Sequence, residues 1–229
     1  MTITPTTLTR AAGLAAAAAG LLFLAVQINH PPMIVSSVTT TEWTIRNAMK
    51  AVMSAFALAG ITGMYLRQVR QTRVLGLLGY LVFSAGYLVM LGIEFIALFV
   101  LPSLATTAPG YVNDVLAAAS GGTVVGDIGL LKPAIAVGGM LYLAGGLFFG
   151  IALFRAGILA RWAAALLALG TLASVAIPLL PQVNERLFAV PTGVALVGLG
   201  ISLWRAERTP TELLTASVLP ARLEPVDAE

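Results

Sequence analysis

The stretch LVMLGIEFIALFV, residues 88–100, is made of residues that suit the hydrocarbon of a membrane, with the exception of Glu94. An ionised carboxylate is costly away from water, so Glu94 must be protonated, be paired with a base or lie in a wet pocket. The stretch therefore predicts a membrane helix, and it makes Glu94 the first candidate for a functional residue.

The composition of the whole chain also indicates a membrane protein. Of the 229 residues, 59% are hydrophobic and 10% are charged, and the mean hydropathy is +0.94. A soluble domain carries roughly 25% charged residues, so this chain has too few polar groups to cover a surface that faces water. We predict an all-α, polytopic integral membrane protein with one helical bundle.

Six segments have the roughly 20 mostly apolar residues that are needed to cross about 30 Å of hydrocarbon. They are residues 11–28, 48–66, 74–101, 133–154, 162–180 and 187–204. We assign residues 1–205 to a six-helix transmembrane domain. The tail, residues 206–229, lacks apolar periodicity, and we expect it to be largely disordered.

The distribution of basic residues predicts the orientation. Nine of the 13 Lys and Arg residues fall in one set of connecting segments, and the opposite set holds Arg46, Lys50, Lys132 and Arg186. Because cytoplasmic segments are enriched in Lys and Arg, both termini are predicted to be cytoplasmic. The longer loops then lie outside, and in one of them YVNDVLAAAS, residues 111–120, predicts a short helix between a Pro109-Gly110 turn and Gly121. That helix is either a lid or a fixed interfacial helix.

The start of the second segment carries a helix signal. Thr39 and Glu42 stand at the spacing of a capping box, which predicts the first turn of the helix. Glu42, Arg46 and Lys50 are four residues apart in succession, so they share one face.

Composition excludes several kinds of site. With no cysteine and one histidine, the chain can form neither thiolate sites nor paired-imidazole sites, and we predict no metal and no cofactor. Neither lysine follows a GxxxxG loop, and HExxH and GxSxG do not occur. The net charge of +3 is assigned to contacts with anionic lipids, and no nucleic-acid partner is predicted.

The remaining candidate site is a set of charges on the outer half of the bundle. Glu94 lies roughly 30 Å along its helix from Arg73, at about 1.5 Å per residue, which is the height at which Arg46 and Lys50 enter the neighbouring helix. His30 precedes Pro31 at the outer end of the first segment. The candidate ligand-binding residues are Glu94, Arg46, Lys50, Glu42, Asp127, Lys132 and His30.

Three interpretations of this set remain open. Glu94 could pair with Arg46 or Lys50 and fasten the helices. The charges could line an outward-opening cavity that holds a lipid headgroup, a lipophilic metabolite or a transported ion. Glu94 could also be a general acid or base in the isomerisation or cyclisation of a membrane-dissolved substrate.

Glycines in the fourth segment predict close helix packing. They are Gly138, Gly139, Gly145, Gly146 and Gly150, and the last two form a GxxxG motif. Small residues let two helix backbones approach each other, so we expect contacts within the bundle. A homo-oligomer through the GxxxG motif, or an accessory subunit packed on a partner membrane protein, is the alternative.

The stretch GLFFGIALFRAGILARWAAALLALGTLASVAIP, residues 146–178, resembles a pattern in uncharacterised small multi-pass membrane proteins of actinobacteria. The likeness rests on the turn with Arg155-Ala156-Gly157 and Arg161-Trp162. It implies a bacterial plasma membrane, and it implies neither a function nor a site residue. From the residues themselves we expect an integral membrane protein that binds or transports a small lipophilic or amphiphilic ligand.

Overall fold

The computed structural model describes residues 4–173 and 189–206, which are helical and contain no strand. The helices are α1 (Pro5–Ala25), α2 (Thr41–Arg67), α3 (Val69–Phe95), α4 (Leu101–Leu104), α5 (Pro109–Ala119), α6 (Leu131–Ala156), α7 (Arg161–Ala173) and α8 (Ala189–Ala206). A 3-10 turn, Val35–Ser37, precedes α2, and a π-helical turn, Ile96–Val100, joins α3 to α4.

In the described part of the chain, five helices are long and apolar enough to cross a membrane. They are α1, α2, the segment Val69–Leu104, α6 and α8, and they agree with five of the six predicted segments. Helix α7 covers the first part of the remaining predicted segment, residues 162–180. The end of that segment, Arg186 and the predicted disordered tail from residue 207 onward lie outside the described residues, so the sixth span and the position of the termini stay predictions.

The helices pack as a closed ring in the order α1, α2, α3, α6, α7 and α8, and α8 also contacts α1. Bulky side chains fill the middle of the ring, among them Ile61, Phe83, Phe149 and Leu199, which are all fully buried. Large apolar side chains cover the outside as well, for example Leu88, which is 57% exposed. An apolar exterior of this extent suits lipid rather than water.

The predicted close packing of the α6 glycines is confirmed at most positions. A Cβ atom on Gly150 would lie 2.7 Å from the backbone nitrogen of Ala168 in α7, and one on Gly138 would lie 2.6 Å from Cγ1 of Val89 in α3. Helix α6 therefore approaches α3 and α7 closely on its two sides. Gly139 differs, because a Cβ atom there would meet nothing within 4 Å.

Two details of the predicted helix ends were wrong. The N-cap of α2 is Thr40, whose Oγ1 accepts a hydrogen bond from the Trp43 amide at 3.2 Å, so Thr39 and Glu42 do not form a capping box. Thr40 also donates to the Ser37 carbonyl at 2.7 Å, and this bond ties the cap to the preceding 3-10 turn. Pro109 and Gly110 form the first turn of α5 and not a separate turn, since proline suits the first helical position. The short helix itself is confirmed.

Candidate functional site

The face of α2 that points into the bundle carries a column of polar side chains. Trp43 and Asn47 are each 1% exposed, and Lys50 follows one turn later on the same face. Asn47 Nδ2 donates to the Trp43 carbonyl at 2.8 Å, and Lys50 Nζ donates to Asn47 Oδ1 at 3.4 Å. The amide of Asn47 thus holds the lysine towards the interior.

Lys50 also meets Glu94. Its Nζ atom lies 3.7 Å from Glu94 Oε2, and the two side chains are 19% and 12% exposed respectively. The predicted pairing of Glu94 with a base on the second segment is therefore confirmed for Lys50. A charge-assisted hydrogen bond would be about 2.7–2.9 Å long, so this pair is a loose ion pair.

Arg46 has different partners. Its Nη1 atom donates to the Ala25 carbonyl at 2.9 Å, and Nη2 lies 3.9 Å from Glu42 Oε1. The carbonyls of the last turn of a helix lack partners within the helix, so an arginine there is favourable for hydrogen bonding and for the helix dipole. Glu42 and Arg46 do share a face as predicted, and Arg46 joins α2 to the end of α1.

The π-helical turn after α3 follows from the position of Pro102. The Leu101 amide donates to the Ile96 carbonyl, as in a π-turn, and Pro102 has no amide hydrogen for the next carbonyl, that of Ala97. Trp43 Nε1 instead donates to the Ala97 carbonyl at 2.8 Å in the buried interior. The indole therefore satisfies a carbonyl that the α3 segment cannot satisfy itself, and it joins α2 to α3 next to Glu94.

A cavity of about 310 Å³ lies beside the ion pair. Its polar wall consists of the column on α2 together with Glu94, and its other walls are mostly apolar, with Met90, Ile93, Leu116 and Ile135 among the lining residues. This volume is at the lower end of the range of small-molecule sites, which are also mostly apolar with a few placed polar groups.

The cavity is bordered at its two ends by different elements. At one end Tyr142 of α6 lines it, and the Tyr142 ring packs against Phe83 and Tyr87 with centroid distances of 5.6 and 5.8 Å. At the other end, which we call the α5 end of the bundle, Val115, Leu116 and Ala119 of α5 cover it.

Asp114 holds α5 over the cavity. It is 7% exposed, and its two carboxylate oxygens accept hydrogen bonds from the amides of Val125 and Gly126, each at 2.9 Å. The segment that follows α5 is thereby tied back to the helix. The choice between a lid and a fixed interfacial helix stays open.

The other predicted site residues are placed away from this cavity, and Glu42, Arg46, Asp127, Lys132 and His30 are not among its lining residues. Asp127 is exposed, and its Oδ1 accepts from the Gly129 amide at 2.7 Å, as in an Asx turn. Lys132 is exposed in the first turn of α6. His30 Nδ1 lies 2.7 Å from the Pro31 carbonyl oxygen. Their predicted role in ligand binding stays a prediction.

Sequence reasoning missed Trp43, Asn47 and Tyr142 in the cavity wall and Asp114 in the cover. The spacing of Trp43, Asn47 and Lys50 was a usable signal, because residues i, i+4 and i+7 lie on one helix face. Tyr142 and Asp114 had no comparable signal, since their positions depend on packing between helices that are distant in sequence.

Comparison with known proteins gave no match: no protein family, no curated protein and no solved structure resembles this chain at a significant level.

Proposed function

We propose that this membrane protein binds a small lipophilic or amphiphilic molecule in the cavity beside Lys50 and Glu94. The observation that carries the proposal is the combination of a mostly apolar cavity of about 310 Å³ with one polar wall. An apolar body would lie against Met90, Ile93 and Leu116, and a polar group would lie against the loose ion pair. Transport of the same molecule is the extended form of this proposal.

We further propose a bacterial plasma membrane as the location, six spans and cytoplasmic termini. The resemblance of residues 146–178 to actinobacterial membrane proteins supports the location, and the distribution of Lys and Arg supports the orientation. In this orientation the α5 end of the bundle faces outward. Membrane lipids are the expected surroundings. A second copy of this chain or another membrane protein is the alternative partner.

The first experiment is a high-resolution density map of the protein extracted with its native lipids, combined with mass spectrometry of the released molecules. We expect elongated non-protein density within reach of Glu94. Gly139→Leu fills the open space next to the cavity and should remove the bound molecule. Gly92→Leu is the matched control, because Gly92 also has nothing within 4 Å of a Cβ atom but does not line the cavity.

An empty cavity in the wild-type protein, with no released molecule that differs between the two variants, would contradict the proposal. Glu94 would then be a structural residue that pairs with Lys50. The search for function would turn to partner proteins that co-purify with the chain.

A cofactor-free enzyme is the second candidate, and it is favoured by the fact that the Glu94 carboxylate itself lines the cavity. In an isomerisation, the carboxylate would take a proton from one carbon of the substrate and return it to another, so that no co-reactant is consumed. Glu94→Gln would then retain the molecule and abolish its conversion. The same single isomer bound to wild type and to Glu94→Gln, before and after incubation and resolved by chromatography, would contradict catalysis.

A further inference from the structure

A second cavity, of about 470 Å³, lies at the surface between the start of α3 and the end of α6. We call it the Arg73 groove. It is lined by residues 71–75 of α3 and by Ala152 and Arg155 of α6. The groove is at the end of the bundle opposite to α5, and it shares no lining residue with the cavity beside Lys50. What it binds is therefore a question separate from the proposed function.

The shape of the groove depends on a break in α3. Arg73 has φ 51° and ψ −144°, and these angles interrupt the helix between a first turn, residues 69–72, and the long part that follows. Thr72 holds the first turn in place, because its hydroxyl donates to the Gln68 carbonyl at 2.9 Å. The Thr72 side chain also packs against Gly76, where an added Cβ atom would collide with it. The break is thus fixed by the contacts around it.

Arginine is an unusual residue at the break. The backbone angles of Arg73 have a positive φ, which glycine adopts easily and which costs stability for a residue with a side chain. Strain of this kind persists where the surrounding structure enforces it, and it is often found at ligand sites. Here the strained backbone places an arginine side chain on the wall of the groove.

The groove holds two positive charges, those of Arg73 and Arg155. Both side chains are exposed, and within residues 4–173 and 189–206 neither guanidinium has a hydrogen bond or an ion pair. The described lining residues include no Asp or Glu. Guanidinium groups bind phosphate oxygens through paired hydrogen bonds, and basic pockets between membrane helices bind lipid headgroups. The chemistry of the groove therefore suits a phosphate group.

The surface that continues from the groove towards the middle of the bundle is apolar. Leu78 lies one helical turn beyond Val74 on α3 and is 50% exposed. Ile151 lies one turn before Arg155 on α6 and is 37% exposed. Exposed apolar side chains on the outside of a membrane helix contact lipid tails. A phosphate that carries acyl chains would use both the groove and this surface, whereas a free phosphate would use the groove alone.

From these observations we propose that the Arg73 groove binds the phosphate of an anionic phospholipid. The phosphate lies between the guanidinium groups of Arg73 and Arg155, and the acyl chains lie along Leu78 and Ile151. A headgroup with a net negative charge fits better than a zwitterionic one, because the cation of the latter would lie close to two positive charges. The bound lipid joins the start of α3 to the end of α6.

Native mass spectrometry of the purified, delipidated protein in a neutral detergent tests the proposal. Dioleoyl phosphatidylglycerol and dioleoyl phosphatidylcholine, which have the same acyl chains, would be titrated separately. We expect the wild-type protein to bind the first lipid more tightly. Arg73→Gln and Arg155→Gln should each weaken binding of phosphatidylglycerol about tenfold, since each removes a charge-assisted contact, and should leave binding of phosphatidylcholine unchanged.

Arg70→Gln is the matched control. Arg70 is exposed in the turn before the break and does not line the groove, so its loss removes the same charge from the same end of the bundle. The affinity for phosphatidylglycerol should stay within about twofold of the wild-type value, because exposed charges at a distance are screened. An equal loss with Arg70→Gln would overturn the proposal, since general attraction by this end of the bundle would then explain the binding.

Arg73→Gly separates binding from stability. Glycine relieves the backbone strain at this position, so without added lipid the variant should unfold at a higher temperature than Arg73→Gln. Its affinity for phosphatidylglycerol should nevertheless be as low as that of Arg73→Gln. Binding of wild-type strength by Arg73→Gly would overturn the role of the Arg73 guanidinium.

The remaining outcomes concern the class of ligand. Equal affinity of the wild-type protein for the two lipids would overturn the proposal. Glycerol 3-phosphate, added at constant ionic strength, should not displace phosphatidylglycerol, because it lacks acyl chains. Displacement at similar concentrations would overturn the lipid and leave a site for a soluble phosphate. None of these outcomes bears on the cavity beside Lys50, whose test uses other residues.

Discussion

At the level of single residues, Glu94 and Lys50 stabilise each other because each lowers the cost of the other's charge in an apolar bundle. The pair is loose, and Lys50 has a second partner in Asn47. A functional pair benefits from this arrangement, since a ligand can contact either member without breaking a short hydrogen bond.

We predict that Glu94→Gln destabilises the detergent-solubilised protein by about 2–3 kcal/mol. This is less than the ~3–5 kcal/mol that the loss of a partner costs in a fully buried pair. The cost is smaller because Lys50 is partly exposed and retains its hydrogen bond to Asn47. Adding Lys50→Met should recover part of the loss, since no unpaired charge remains. The free energy of unfolding in a denaturing detergent, measured for all four proteins of the cycle, gives the coupling.

Arg46→Met is the matched control for this cycle. Arg46 contacts Ala25 and Glu42, so its effect should add to that of Glu94→Gln without coupling. Simple additivity in the cycle with Lys50→Met, or coupling of equal size with Arg46→Met, would show that the ion pair is not the one in the structure.

At the level of elements, the π-helical turn places part of the cavity wall, and a proline causes it. We predict that Trp43→Phe costs about 1–3 kcal/mol of stability beyond the loss of packing, because the Ala97 carbonyl is left buried without a donor. In a Pro102→Ala background the new amide hydrogen can reach the carbonyls of this turn, so the same substitution should cost less. Unfolding free energies of the four proteins measure the difference.

Trp162→Phe provides the comparison, since Trp162 is 58% exposed and lies on another helix. Its cost should be the same in both backgrounds. If Pro102→Ala leaves the cost of Trp43→Phe unchanged as well, the indole hydrogen bond does not compensate for the missing proline donor.

The position of α5 over the cavity depends on the two hydrogen bonds of Asp114. We predict that Asp114→Ala lowers stability by about 2 kcal/mol, since both bonds involve a charged acceptor. The amides of α5 should also exchange with deuterium faster, because the helix is held less firmly. Hydrogen exchange followed by mass spectrometry measures the rate for residues 109–119.

Asp127→Ala is the control, because Asp127 is exposed and accepts one amide in the same connecting segment. Its effect should stay within about 0.5 kcal/mol, and exchange in α5 should not change. Equal effects of the two substitutions would mean that Asp114 does not hold α5 in place.

The sequence predicted the elements better than their contacts. Long apolar segments are a local property, so the helices and even α5 could be read from composition and spacing. The rise per residue placed Glu94 level with Arg46 and Lys50, and the structure shows that Lys50 is its partner. The π-turn was not predictable, because a proline late in an apolar segment can also be accommodated by a kink or by the end of the helix.

At the level of the whole molecule, the described helices form a closed ring, and the cavity lies inside it next to α5. Glycines bring α3 and α6 together along their length, at Gly86, Gly145 and Gly138. The order of the helices in the ring was not predictable from the sequence, because apolar segments of similar composition can pack in many arrangements. The side of the membrane that each end faces, in contrast, is a prediction from the positions of Arg and Lys.

The topology can be tested with single cysteines, because the chain contains none. We predict that cysteines at Gln71 and Thr107, both exposed at opposite ends of the bundle, react with an impermeant maleimide from opposite sides of the membrane. Thr72 would be a poor position, since it is buried and its hydroxyl donates to the Gln68 carbonyl. Labelling in intact cells and in inverted vesicles measures the side.

A third cysteine at Gln182 decides between five spans and six. This position lies between the predicted segments 162–180 and 187–204, outside the described residues. If residues 162–180 cross the membrane, Gln182→Cys reacts from the same side as Thr107→Cys, because an odd number of spans then separates it from Gln71. Reaction from the side of Gln71→Cys would mean that this segment does not cross, and the C-terminus would then lie on the side opposite to the N-terminus. Labelling of both Gln71→Cys and Thr107→Cys from outside would overturn the predicted orientation itself, since α3 separates the two positions by one span.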